Sequence, residues 1–368
     1  MCRQLVLLGT VLLSAASLRA QPNDGRAFDP GHALTAPSPH ADSALHQLSD
    51  LLGVWRVEVE TWHPPDTTAH RSEGLAEVTL MNRGHGFMER RHTPDYDAAG
   101  TEEHALTLIS HIAPTQQWMT SEASSYTESI LVSDGAFEAP DRLVVRQAVR
   151  RAGGTRVVLI RTTYQLEGPD AFSVEVDQSI TYGEDGWRPV ERRHYTRASE
   201  AGRRPRAAGE GSPAEGLPPE ARQFDFIVGE FDARQRMLGP EGWVEFDAIT
   251  TGAYALGGHA ILETAWYDSD PNYPDAAMTA LRLYNRAEHR WESLFIDNIS
   301  NTHYRFGGRW EDGRMALHPF DVRLNDRQAR YIFHAIQPDR YDWYCELSTD
   351  RGATFTTTWT INATRRAD

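Results

Sequence analysis

An all-β fold in two tandem copies is what this sequence predicts, on three observations. Two long segments on either side of a Pro/Gly-rich stretch match each other in order. Within each segment the apolar pattern has period two or runs in short apolar stretches, and no helical period intervenes. Turn-forming residues separate the stretches at roughly ten-residue spacing, the signature of an antiparallel sandwich or barrel. The length of 368 residues suits two domains of ordinary size, each able to bury its own core.

In chain order, residues 1–20 read as a secretory signal. Arg3 supplies the positive start, Leu5 to Leu13 the apolar stretch, and Leu18-Arg19-Ala20 the cleavage site ahead of Gln21. The expected location is therefore outside the cytoplasm, periplasmic or extracellular. No later stretch approaches the length of about 18 apolar residues that a membrane span needs, so no integral span is expected. Residues 21–42, rich in Pro, Gly, Asp and Ala, are expected to be a disordered leader. Residues 43–197 form the first β domain, 198–219 (ASEAGRRPRAAGEGSPAEGLPP) a disordered linker, and 220–368 the second β domain. A short helix is expected before each domain. Ser43 would cap the first, with Leu45, Leu48, Leu51 and Leu52 facing inward; Pro218 to Phe226 would hold the second.

The internal match carries the duplication. Leu51-Leu52-Gly53-Val54-Trp55 answers Ile227-Val228-Gly229-Glu230-Phe231, and Gly84-His85-Gly86-Phe87-Met88-Glu89 answers Gly257-Gly258-His259-Ala260-Ile261-Leu262-Glu263 with a one-residue slip. Gln117-Trp118 answers Arg290-Trp291, and Tyr195-Thr196-Arg197 answers Ala363-Thr364-Arg365. Nearly constant separations along two whole segments mark a repeat.

Composition excludes several functions. The formal charge is −15, and all 37 basic residues are Arg. Without lysine there is no Schiff-base chemistry and no Lys nucleophile. An acidic chain repels phosphate backbones and anionic lipid, so neither nucleic acid nor an anionic membrane surface is an expected partner. Cys2 lies in the signal, which leaves Cys345 alone in the mature chain. An intrachain disulfide and a cysteine-based zinc site are both excluded.

Several runs then resemble a known family. Phe224-Asp225-Phe226-Ile227-Val228-Gly229-Glu230-Phe231-Asp232, Gly257-Gly258 with Glu263, Arg290-Trp291 with Ile296-Asp297, and Ser348-Thr349-Asp350-Arg351-Gly352 with Phe355 resemble, in order, the motifs of a bacterial lipocalin-like family catalogued as domain of unknown function number 1579. The second copy carries the fuller resemblance. The first keeps Leu51 to Trp55, the glycines around His85, and Trp118. The resemblance implies two small antiparallel lipocalin-like β-barrels, each with a central cavity, and implies no reaction.

A barrel of about eight strands just holds one small ligand. Its cavity would be aromatic with a few convergent polar groups. In the second copy Glu263, Trp266, Trp291, Asp297, His334 and Trp359 are the candidate ligand-binding residues. His334, between Phe333 and Ala335 in an apolar strand, is expected to point into the barrel; the structural alternative is a core or rim histidine satisfied by one hydrogen bond. Glu263 suits ligand binding or general-base chemistry, with a solvent-facing strand residue as the alternative. Asp297 before Asn298 reads equally as a turn residue. No catalytic residue, cofactor or metal ligand is assigned. The fifteen histidines show no metal-ligand motif, and His85/His92 and His104/His111, seven apart, would face opposite sides of a continuous strand. The expected function is an exported protein holding a small apolar or amphipathic ligand. An interaction protein with filled barrels, or a hydrolase or isomerase using Glu263, Asp297 and His334, is the alternative.

Overall fold

The computed structural model describes residues 35–62, 68–150, 157–179, 181, 186–198, 211–239, 241–267, 276–320 and 328–367. The signal at 1–20, most of the leader and residues 199–210 of the linker lie outside these. The described residues fall into two compact units, 35–198 and 211–367.

Each unit is a closed antiparallel barrel of ten strands. The first comprises β1 (Gly53–Thr61), β2 (His70–Met81), β3 (Gly86–Thr93), β4 (Glu103–Ile112), β5 (Gln117–Ser124), β6 (Ser129–Ala139), β7 (Arg142–Arg150), β8 (Val157–Leu166), β9 (Ala171–Ser179) and β10 (Arg188–Arg197). The second comprises β11 (Gly229–Gly239), β12 (Gly242–Ala255), β13 (Ala260–Tyr267), β14 (Ala277–Asn285), β15 (Arg290–Asp297), β16 (His303–Glu311), β17 (Arg314–Pro319), β18 (Gln328–Gln337), β19 (Arg340–Ser348) and β20 (Thr356–Arg365). Every strand pairs with the next in sequence, and β1 closes on β10 as β11 closes on β20. Ten strands where about eight were expected widen each lumen, because barrel diameter grows with strand number.

The period-two pattern sets which side chains enter the lumen. In β1, Trp55, Val57, Val59 and Thr61 are buried while Arg56 and Glu58 face water. In β11, Phe231, Ala233 and Gln235 are buried between exposed Glu230, Asp232, Arg234 and Arg236. The strands β4 and β14 are buried along their whole length although both carry polar residues, Glu103, His104 and His111 in β4 and Arg282 and Asn285 in β14.

The expected leading helices are 3₁₀ segments. Ser43–Leu51 is one, with Leu45, Leu48 and Leu51 buried. These leucines are three apart, and a turn of three residues stacks them on one face. Asp42, not Ser43, caps it, its carboxylate accepting from the Ala44 N–H. Two 3₁₀ turns, Pro219–Arg222 and Asp225–Ile227, precede the second barrel. Residues within the stretches expected to be disordered are also held. Ser38 N–H donates to the Gly84 carbonyl at 3.1 Å, and Ala214 N–H to the equivalent Gly258 carbonyl at 3.2 Å.

A duplicated arginine clasp seals one end of each barrel. Arg197, the last residue of β10, donates to the carbonyls of Leu52, Asp50 and Pro169 and lies 4.2 Å over the Trp55 ring. Arg365 ends β20 and donates to Val228 and Pro338, 4.5 Å over Phe231. The glycine in each matched opening run is explained here. Gly53 and Gly229 have φ of +130° and +122°, and a Cβ would fall 2.7 and 2.2 Å from the arginine Nη1.

Candidate functional site

The strand registers make the two lumens comparable position by position. Glu89 on β3 and Glu263 on β13 are equivalent, as are Trp118 and Trp291 on β5 and β15. By the same registers Arg91, Glu103, Glu122, Glu191 and Arg193 of the first barrel correspond to Ala265, Ala276, Phe295, Trp359 and Ile361 of the second. Charged side chains occupy the first lumen; small or apolar ones stand at the same places in the second.

In the first barrel two guanidiniums face four carboxylates. Arg91 contacts Glu103 at 2.7 Å and Glu191 at 3.5 Å; Arg193 contacts Glu122 at 3.1 Å and Glu191 at 3.2 Å. Tyr195 donates to Glu89 at 2.7 Å and Tyr96 to Glu191 at 3.1 Å. Burial, with Glu191 beside it, pushes the Glu103 carboxyl up despite Arg91. Burial acts on Glu122 in the same sense, but Arg193 and Arg91 overcome it and hold that carboxyl down. The network lines this lumen with paired charge.

The second barrel holds a cavity of about 160 Å³. Its wall is largely aromatic and aliphatic, including Met278, Phe295, Tyr331, Trp343 and Trp359. One buried ion pair stands in it. Arg282 Nη1 lies 2.6 Å from Glu263 Oε2, both side chains under a tenth exposed. The guanidinium carbon sits 5.2 and 5.4 Å from the ring centroids of Phe224 and Phe333, within cation–π range. The contact is not aligned as a hydrogen bond, and Arg282 Nε has no hydrogen-bond partner among the described residues. A buried guanidinium with unused donors is costly unless something accepts from it. Burial pushes the Cys345 thiol, also in the wall, up to about 11, so at neutral pH it stays protonated.

Three of the six expected residues line this cavity: Glu263, Asp297 and Trp359. Trp359 Nε1 donates to Gln235 Oε1 at 2.9 Å, which satisfies the indole within the wall. Asp297 accepts from the N–H groups of Ile299 and Ser300 at 2.9 and 2.6 Å, so it also shapes the turn after β15. Burial raises its carboxyl all the same.

The other three are corrected. On β13 the lumen takes Ile261, Glu263 and Ala265, so Trp266 has the opposite parity and faces outward. Trp291 has inward parity but lies beyond the cavity, where it plugs the barrel end against Phe224 and Tyr284 and donates to Gln223. His334 is on the outer face beside Tyr344, because Tyr331 and Phe333 take the inward positions of β18. Glu263, Asp297 and His334 therefore do not converge. Arg282 was missed, though an arginine inside the apolar run Ala277-Met278-Thr279-Ala280-Leu281-Arg282-Leu283 signals a buried cation.

The family profile described as "Protein of unknown function (DUF1579)" matches residues 41–197, the first copy. No curated protein matches the chain. Among solved structures, a protein of unknown function from the DUF3598 family of Nostoc punctiforme aligns at 11% identity over 88% of this chain and 100% of its own, with a TM-score of 0.29. The S-type phycobiliprotein lyase CPES of Guillardia theta aligns at 14% identity over 40% of this chain and 96% of its own, with a TM-score of 0.28. No described helix is long and apolar enough to cross a membrane.

Proposed function

We infer that this is an exported protein of two lipocalin-like barrels. The second binds one small, mainly apolar molecule that carries a hydrogen-bond acceptor or an anionic group, and the first is a filled scaffold. The observation that carries this reading is the aromatic cavity with Arg282 in its wall. The volume sets the ligand scale: an apolar cavity of about 150 Å³ is known to take benzene, and this one is about 160 Å³. A single ring or a short aliphatic chain fits; a long acyl chain needs more room. Arg282 sets the chemistry, since a ligand carboxylate or carbonyl would satisfy its unused donors while the rings take the apolar remainder.

The test uses the full chain and a panel of small aromatic and short aliphatic acids, each paired with its neutral amide, read by calorimetry and by tryptophan fluorescence. An acid is expected to bind more tightly than its amide, Arg282→Met to remove that preference, and Ala280→Phe, which fills the cavity, to abolish binding. Affinity unchanged by Ala280→Phe, in a variant that melts like the parent, would place the ligand elsewhere and overturn the reading. Protein recovered from its host is expected to begin at Gln21.

A further inference from the structure

We propose that the outer face of the first barrel carries a transition-metal site formed by His92, Glu102 and His104. The residues come together through strand register. His92 on β3 pairs directly with His104 on β4. Their neighbours Arg91 and Glu103 occupy the lumen, so both imidazoles leave the barrel on the opposite side. The rings stack with centroids 4.6 Å apart and planes 7° apart. Glu102, one residue before β4, brings Oε1 to 2.5 Å from His92 Nε2 and 3.2 Å from His104 Nε2. All three donor atoms lie within 4.8 Å of one another.

Two imidazoles and one carboxylate match the donor set of a late first-row divalent ion, zinc above all. Bonds of about 2.1 Å in a tetrahedron separate the donors by about 3.4 Å. The observed spacings bracket that value, so modest side-chain rotations bring all three donors to one ion. The two histidines sit on adjacent paired strands, which fixes their separation, and Glu102 on the flank supplies the adjustable ligand. Graded exposure leaves a way in: the side chains of His104, His92 and Glu102 are 8%, 25% and 52% exposed. Three protein ligands leave a fourth position for water or a partner's donor. Bound metal would cross-link β3 to β4 directly outside the Arg91–Glu103 pair.

The site is tested on the untagged full chain after chelator treatment. Calorimetry with Zn²⁺ gives stoichiometry and affinity, and the visible spectrum with Co²⁺ reports tetrahedral coordination. One ion per chain is expected at this site, with the binding weakened roughly tenfold or more by His92→Ala, Glu102→Gln or His104→Ala, since loss of even an outer-shell partner costs that much. His70→Ala, whose ring instead meets the Asp95 carbonyl, serves as the control and should bind as the parent does. Because His104 is buried, the partly exposed His92→Ala variant decides the matter, with its melting curve recorded alongside. Absence of stoichiometric uptake, or uptake that a folded His92→Ala protein retains in full, overturns the proposal.

Discussion

At the scale of single residues, burial decides what each titratable group can do. His303, at the start of β16, is buried, and desolvation lowers its pKa from 6.5 to about 3. The folded protein therefore keeps this ring neutral while the unfolded chain takes up a proton below pH 6.5. The contribution to stability is full above pH 6.5 and is lost as the pH falls toward 3. Its size is on the order of several kcal/mol, one pKa unit being worth about 1.4 kcal/mol. In denaturant titrations, His303→Gln should lose less stability than the parent between pH 6.5 and 4. Parallel pH dependence of the two would show that His303 is protonated in the fold. Arg282 illustrates the converse case. Its charge is held inside by Glu263 and two aromatic rings, which leaves donors to spare for a ligand.

At the scale of elements, the two copies preserve what closes a barrel and diverge in what fills it. The arginine clasp ties the last strand of each barrel to the 3₁₀ segment before the first strand. It requires glycine at 53 and at 229, because a methyl group there meets the guanidinium and the backbone has positive φ. Gly229→Ala should lower the stability of the second barrel by about 1–3 kcal/mol, read as a shift of its melting transition, and Gly53→Ala should do the same to the first. Removing the clasp first by Arg365→Ala should make the subsequent Gly229→Ala change cheaper. If the two losses simply add, the steric account is wrong. The 3₁₀ segments belong to the same scale. Leucines three apart at 45, 48 and 51 make a better 3₁₀ face than an α-helical one.

At the scale of the whole molecule, one topology gives two different interiors. The first lumen is held by paired charge, the second by aromatic walls around a cavity. The cost of cutting either differs accordingly. Arg193→Met takes the guanidinium from the partly exposed Glu122 and leaves the buried Glu191 with Arg91 and Tyr96 alone, and should destabilise the first barrel by about 3 kcal/mol, the low end for breaking a buried pair. Ile361→Val, at the equivalent place in the second barrel, removes one methylene and should cost about 1 kcal/mol. Denaturant unfolding followed barrel by barrel checks both numbers, and equal losses would mean that the Arg193 network is solvated rather than buried.

The amino-acid sequence by itself determined the all-β class and the two tandem copies, because period-two patterning and matched turns are local signals. It also named Glu263, Asp297 and Trp359, three residues that line the cavity. Which face of a strand enters the lumen is settled only when the barrel closes. Around His334 and Trp266 both faces of the strand are apolar enough to pass for the inner one, and closure put both residues outside. A hollow second barrel was beyond local reading for the same reason. Arg91 and Glu103 meet only because β3 and β4 are in register, and Ala265 and Ala280 leave space open only because adjacent strands bring these small side chains to one stretch of wall. Counting histidines along one strand likewise could not show His92 beside His104, whose nearness is a cross-strand fact. Patterning is local and a sequence carries it; the interior of a barrel is a sum over strands distant in the chain, and only the tertiary structure performs that sum.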